Sequence, residues 1–350
     1  MKDVEIIVST LKSGGISNVV KVFARDLQSR EMLARVTTLQ DEPSIELEGY
    51  DVNSLEVSGH SSNLLKIFIA SKRIFKYRKS RKSNNSKVHF CMDPSSFFVA
   101  YISNFKKRHV FISWCATPAE LLVLSDRLII KFLYSKAKAV VVPSEDMKHD
   151  LELISPKANI QVIPNPLTFL EVSCKLPKQS ETQKKSILYL GRFSAEKGVD
   201  LIPKLANRFS EISFVMVGEG PMKDLLVNEK KLFDLKNLEI IEWADSKTYL
   251  QNSDLLILPS TYESFGLVVV ESWIYGNKVV ASQVASGPRH LIGKHGGGSL
   301  VSNYEDLDEW GKLINDNLEG ELSDEFISDI LESYSSENVL NKWLDIAEVN

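Results

Sequence analysis

The chain has 350 residues, 43% of them hydrophobic and 25% charged, with a formal net charge of −4. That length supports two ordinary domains rather than one, and the overall acidity excludes a generic nucleic-acid binder. Residues 1–175 nevertheless hold 25 Lys and Arg against 18 Asp and Glu, whereas residues 176–350 hold 17 against 28, so the basic first half suits an anionic membrane surface or an acidic ligand.

Cys91, Cys115 and Cys174 have no Cys-x-x-Cys spacing, which argues against a disulfide framework and a zinc site and suits a reducing cytoplasm. The N-terminus lacks the apolar core of a signal peptide, and no apolar run approaches the roughly 18 residues needed to span a bilayer. Short apolar runs instead alternate with helix-like stretches, the pattern of parallel sheets covered on both faces.

The first strand is expected at Val4–Thr10, followed by Gly14 and Gly15 and a helix beginning near Ile16. Paired glycines let backbone approach a diphosphate closely, although an ordinary strand-to-helix turn uses them too. Further strands are expected at Arg35–Leu39, Ser54–Val57, Val88–Met92, Val110–Trp114, Ala139–Pro143 and Ile160–Ile163. Between Lys66 and Lys87 stand nine Lys and Arg and no acid, interleaved with Ile67, Phe68, Ile69, Ile74, Phe75 and Tyr77. Residues 64–87 therefore suit an anionic membrane surface. The competing reading is a core helix followed by a basic solvated loop, Arg78–Lys87, because the apolar positions spread around the helix. The polar stretch Leu167–Lys185 marks the boundary: a first domain over 1–170, a linker over 171–185 and a second domain over 186–334. Residues 335–350 carry a last helix with Val339, Leu340, Trp343 and Ile346 at helical spacing.

In the second half strands are expected at Ile187–Leu190, Ser213–Val217, Leu238–Ile241, Leu255–Leu258, Lys278–Ala281 and Ser299–Val301. Gly191-Arg192 and Lys197-Gly198 follow the first of these. Their two cations, five residues apart, can neutralise a departing nucleoside diphosphate, against the alternative of solvated loop charges. Glu242-Trp243-Ala244 is a candidate base pocket, with core packing of Trp243 the alternative. Leu255–Leu258 ends at Pro259 and delivers its C-terminal end to a ligand crevice. If Phe265–Tyr275 is helical, the free N–H groups near Ser264–Leu267 and the helix dipole attract a diphosphate. Glu263 and Glu271 would then lie about 12 Å apart along a helix and about 80° around it. One can accept hydrogen bonds from sugar hydroxyls and the other from ribose, which suggests a nucleotide-sugar site. Asp306-Leu-Asp308 has the form of a metal-holding Asp-x-Asp, but its place before Trp310, Leu313 and Ile314 reads as the acidic first turn of a helix.

The stretch from Pro259 to Gly276 resembles the E-x7-E signature of retaining glycosyltransferases with the GT-B fold, family 4 in particular. Gly14-Gly15, Ile163-Pro-Asn-Pro166, Gly191-Arg-Phe-Ser-Ala-Glu-Lys-Gly198, Val217-Gly-Glu-Gly-Pro221 and Ala285-Ser-Gly-Pro288 fall in the matching order, so the resemblance covers nearly the whole chain. It implies an α/β architecture of two doubly wound, Rossmann-like domains facing a central cleft, with the C-terminal helix crossing back to the first. A UDP- or GDP-sugar would bind mainly to the second domain and the acceptor to the first. A hexose or N-acetylhexosamine would pass to a hydroxyl with retention, without metal or other cofactor.

Carried over residue by residue, the resemblance makes Glu263, Arg192 and Lys197 catalytic. Glu263 would meet the donor sugar and Glu271 the ribose, while Ser264, Phe265, Gly266 and Leu267 would supply backbone contacts. Gly14, Gly15, Gly191 and Trp243 complete the donor set. Many relatives place a histidine where this chain has Cys115, and a thiol cannot donate the same hydrogen bonds. Trp114, Cys115 and Thr117 are the acceptor-side candidates. The basic segment points to a lipid-linked glycan acceptor at the cytoplasmic face of a membrane, as in bacterial surface-polysaccharide assembly. A nucleotide-sugar epimerase of the same fold and a catalytically silent sugar-binding subunit remain open.

Overall fold

A computed structural model describes residues 3–11, 15–40, 49–57, 63–80, 86–104, 109–115, 124–167, 184–242 and 245–349, the side chains of 63–67 and 125 excepted. The chain forms two compact units: Met1–Thr168 with Tyr334–Asn350, and Phe169–Ser333.

In the first unit β1 (Val4–Val8), β2 (Leu33–Thr38), β3 (Val52–Ser54), β4 (Val88–Cys91), β5 (Val110–Trp114), β6 (Ala139–Val142) and β7 (Ile160–Val162) run parallel in the order β3-β2-β1-β4-β5-β6-β7. The central strands β1, β4 and β6 are buried along their whole length, as unbroken apolar runs must be when helices cover both faces. α1 (Gly15–Ser29) packs Val20, Phe23 and Leu27 against Val4, Ile6 and Val8 on one face. On the other face lie α2 (Asn63–Ser80), α3 (Pro94–Asn104), α4 (Leu124–Leu133) and α5 (Glu145–Ile154), which contribute Tyr77, Phe97, Ile130 and Leu151 to a second core. β3 forms earlier than the expected Ser54–Val57. Val52–Ser54 pair with Val36–Thr38, while Leu55 and Val57 turn into the core just beyond the strand, so their apolar pattern marks burial rather than pairing.

The second unit repeats the plan with β8 (Ser186–Leu190), β9 (Ser213–Val217), β10 (Leu238–Ile241), β11 (Leu255–Leu258), β12 (Lys278–Ser282) and β13 (Gly298–Val301), parallel in the order β10-β9-β8-β11-β12-β13. Its helices are α6 (Leu201–Arg208), α7 (Lys223–Leu232), α8 (Ser246–Gln251), α9 (Leu267–Ile274), α10 (Ser286–His295), α11 (Leu307–Leu318) and α12 (Asp324–Tyr334). Asp306 caps α11, its carboxylate accepting the backbone N–H of Asp308 at 2.9 Å and Glu309 at 3.1 Å, and Asp308 pairs with Arg208. The Asp-x-Asp pattern is thus a helix start, where acidic groups satisfy free amides and complement the dipole.

The last helix, α13 (Ser336–Ala347), returns to the first unit. Ser335 caps it by accepting the N–H of Asn338. Trp343 meets Phe23 and Phe90 edge to face, with ring centroids 5.3 and 5.0 Å apart, a geometry aromatic pairs favour. No helix among the described residues is long and apolar enough to cross a membrane.

Candidate active site

Both sheets reverse their strand order once, between β1 and β4 in the first unit and between β8 and β11 in the second. Connections from the two strands at such a point run to opposite faces of the sheet, leaving a crevice beyond their C-terminal ends where ligands collect. In the second unit the two segments leaving this point are the Gly191–Gly198 loop after β8 and the Pro259–Gly266 loop after β11.

The two loops are clipped together. The carbonyl oxygen of Glu196 accepts the N–H of Thr261 at 2.9 Å and of Tyr262 at 3.2 Å, and the hydroxyl of Thr261 at 3.1 Å. Gly198 follows a 3-10 turn at Ala195–Lys197 and has φ of 61°. A Cβ there would lie 2.0 Å from the Pro259 carbonyl oxygen, so the loops can touch only if this residue has no side chain. The contact places Lys197 Nζ 2.5 Å from Glu263 Oε2 and 3.4 Å from the Tyr262 carbonyl oxygen. Both side chains of the ion pair are about one-fifth exposed, at 21% and 20%, so the pair is sheltered yet within reach of a ligand.

Arg192 lies exposed on the same loop. The Ser194 hydroxyl, donating at 2.6 Å, together with the nearby charges of Lys197 and Arg192, holds Glu196 below the usual carboxylate range. Tyr189 on β8 donates its hydroxyl to the Arg192 carbonyl at 2.8 Å. Burial first, then the carboxylates of Glu263 and Glu196, push its own ionisation far above the ordinary tyrosine range, so it stays a neutral donor. A third segment, Val217–Pro221, backs the first: a Cβ on Gly218 would fall 1.9 Å from the Gly191 carbonyl oxygen.

Glu263 is held from the far side by α10, whose Gly287 N–H and Ser286 hydroxyl donate to its carbonyl oxygen at 2.8 and 3.3 Å. Gly266 has φ of 82° and caps α9, so the helix begins at Leu267 rather than at the expected Phe265. Glu263 consequently precedes the helix, and the axial separation expected for two carboxylates on one helix does not describe this pair. The first N–H groups of α9 have no partner within the helix. Glu271 is half-buried on its second turn, close enough to join Asp245 in raising the ionisation of Tyr275, which burial raises first. Ser264 is partly exposed and Phe265 buried.

Among the remaining expected residues, Gly14, Thr117 and Trp243 lie outside the described residues. Gly15 is exposed at the start of α1, and a Cβ there would meet nothing within 4 Å. Trp114 and Cys115 are buried, one in each of the two cores of the first unit. Tyr189 and the Pro259 carbonyl were not singled out from sequence: a tyrosine within a buried strand and a backbone oxygen carry no local signal of a loop contact.

Two parallel, doubly wound units and a C-terminal helix that returns to the first are the architecture of the GT-B fold. Residues 175–330 match the family described as glycosyl transferases group 1. It is 26% identical over 328 residues to a poly(ribitol-phosphate) α-N-acetylglucosaminyltransferase of Staphylococcus aureus, covering 85% of this chain and 65% of that protein's length. With the N-acetylgalactosamine-N,N'-diacetylbacillosaminyl-diphospho-undecaprenol 4-α-N-acetylgalactosaminyltransferase of Campylobacter jejuni it shares 25% identity over 316 residues, 86% of each chain. The apo lipopolysaccharide outer core galactosyltransferase WaaB superposes with a TM-score of 0.79 at 17% identity over 98% of both chains. Anabaena HepE in complex with UDP and glucose does so at 0.77 and 15% identity over 99% of both. At such identities these two structures speak to the fold.

Proposed function

We propose that the chain transfers a hexose or N-acetylhexosamine from a UDP- or GDP-sugar to a hydroxyl of a lipid-linked glycan in bacterial surface-polysaccharide assembly, with retention at the anomeric carbon. The observation that carries this reading is the Lys197–Glu263 contact at the strand-order reversal of the second unit. It brings a cation and a carboxylate together in the loop that leads into α9, and with the amides at a helix start these are the groups that bind a sugar diphosphate. The relatives' acceptors, a ribitol-phosphate polymer and a diphospho-undecaprenol glycan, support the acceptor class.

In the proposed reaction the bond from the anomeric carbon to the β-phosphate oxygen breaks and the phosphate leaves with the electron pair. Lys197, Arg192, Gly15 and the α9 amides stabilise that charge, and electrostatic stabilisation of this kind carries much of the rate. The acceptor hydroxyl oxygen bonds the anomeric carbon from the same face, and its proton passes to the departing phosphate oxygen. Glu263 orients the sugar ring, Glu271 takes the ribose hydroxyls, and backbone groups of Ser264, Phe265, Gly266 and Leu267 line the diphosphate, with Gly14, Gly191 and Trp243 completing the donor site. Trp114, Cys115 and Thr117 belong to the acceptor side in this reading. None of these steps calls on a metal ion or other cofactor.

The deciding experiment is a thermal-shift screen of the full chain against UDP, GDP and their sugars. One nucleotide series should stabilise the protein, by about 2.7 kcal/mol at a hundredfold excess over its dissociation constant, and Lys197→Ala should abolish the shift. Absence of any response to either series would overturn the donor assignment. Donor consumption without a transferred sugar would instead favour an epimerase.

A further inference from the structure

We propose that the outer faces of α2 and α4 together form a docking surface for an anionic lipid bilayer. The proposal rests on the lipid-linked acceptor reading for its purpose, and it adds α4, which sequence patterning did not single out.

Both helices bury one side against the same face of the first sheet, through Tyr77 on α2 and Ile130 on α4. Their opposite sides are unusually apolar for a protein surface. On α2, Phe68 and Phe75 are 66% and 70% exposed; on α4, Leu124 and Phe132 are 71% and 62% exposed, with Leu128 between them. At 100° per residue, Phe68, Lys72, Phe75 and Lys79 fall within about 60° of one another and opposite Tyr77, while Leu124, Leu128 and Phe132 fall within about 80° and opposite Ile130. The two stripes therefore point the same way, away from the sheet. α3 packs between the two helices, which sets the stripes about 20 Å apart at ordinary helix spacing. Large exposed apolar residues lined up on helix faces in this way mark an interaction site.

Charge selects the occupant. Lys72, Lys79 and Lys131 are exposed beside the apolar residues, α2 contains no acid, and the one acid of α4, Asp126, lies on the sheet side of that helix. Aromatic residues alternating with lysines on one stripe match an interface in which rings enter the acyl boundary and cations reach lipid phosphates. A second copy of the chain is a poor fit, because symmetric pairing of this face sets lysine against lysine.

The test is co-sedimentation of the full chain with vesicles of phosphatidylcholine alone or mixed with phosphatidylglycerol. The protein should bind only the mixed vesicles, and salt should weaken binding. A Lys72→Glu, Lys79→Glu, Lys131→Glu variant should bind at least about tenfold more weakly, since each surface cation contributes about fivefold. Phe75→Ser with Phe132→Ser should also reduce binding; both variants alter exposed residues and should keep the nucleotide-induced thermal shift. Equal binding by wild type and variants, or no preference for anionic vesicles, overturns the proposal. A soluble dimer that the phenylalanine variant dissociates also overturns it, identifying the face as a contact between copies. If wild type shows no nucleotide shift but the vesicle results hold, the donor reading fails and the docking surface stands.

Discussion

Lys197 and Glu263 come from loops 66 residues apart and meet at 2.5 Å, so each neutralises the other before any ligand arrives. In the proposed reaction a donor diphosphate would offer the lysine a second anionic partner, while Glu263, its backbone tethered to α10, would turn its carboxylate to sugar hydroxyls. Glycine positions separate architecture from chemistry. Gly198→Ala introduces a Cβ 2.0 Å from Pro259 at positive φ and should cost about 1–3 kcal/mol of stability, read by urea denaturation. Gly15→Ala meets no atom within 4 Å and should leave the melting temperature unchanged or slightly raised. If the reading of Gly15 as a phosphate-loop residue is right, the same change weakens donor affinity about tenfold by titration. Unaltered affinity would return Gly15 to an ordinary turn.

Among the elements, α13 closes one core of the first unit. Its residues Val339, Leu340, Trp343 and Leu344 complete the core begun by α1 and β1, and Arg30 reaches across to Asn341 at 2.6 Å. Trp343→Ala removes the ring packed on Phe23 and Phe90 and should cost about 3–5 kcal/mol, measured by chemical denaturation. A loss below about 1 kcal/mol would mean the helix contributes little to that core. The start of α11 behaves differently. Asp306→Ala should cost about 1 kcal/mol through the lost cap and leave turnover unchanged, whereas an Asp-x-Asp metal centre would lose activity.

At the scale of the whole molecule, acid stability should be governed by a carboxylate buried in the first sheet. Glu5 on β1 accepts the hydroxyls of Thr37 at 2.7 Å and Tyr77 at 2.8 Å, with His89 Nδ1 3.3 Å away. Burial alone would raise its ionisation, but the bonds and charge of His89, with Thr37 and Tyr77, outweigh that and leave it below the usual carboxylate range. A depressed folded value adds stability above the unfolded value, lost as pH falls through the folded one. Denaturation midpoints should thus drop below about pH 4.5 in the wild type. Glu5→Gln should lower stability at neutral pH by about 1–3 kcal/mol, the cost of a disrupted buried network, while flattening the acid limb. A variant with an unchanged acid limb would remove Glu5 from this role.

The strand-helix alternation and the order of Gly191–Gly198, Pro259–Gly276 and Ala285–Pro288 were legible because parallel sheets buried on both faces impose apolar runs, and tight loops impose glycine. Strand ends were less so, as β3 shows, since burial extends past pairing. What only the tertiary structure decided was which loops meet. The Glu196 carbonyl against Thr261 and Tyr262, and Gly198 against Pro259, join segments distant in sequence, and such contacts leave no period or spacing to read. The same holds for α2: its apolar residues looked scattered because one set faces the sheet and the other faces outward, and only the packing of the helix tells the two apart.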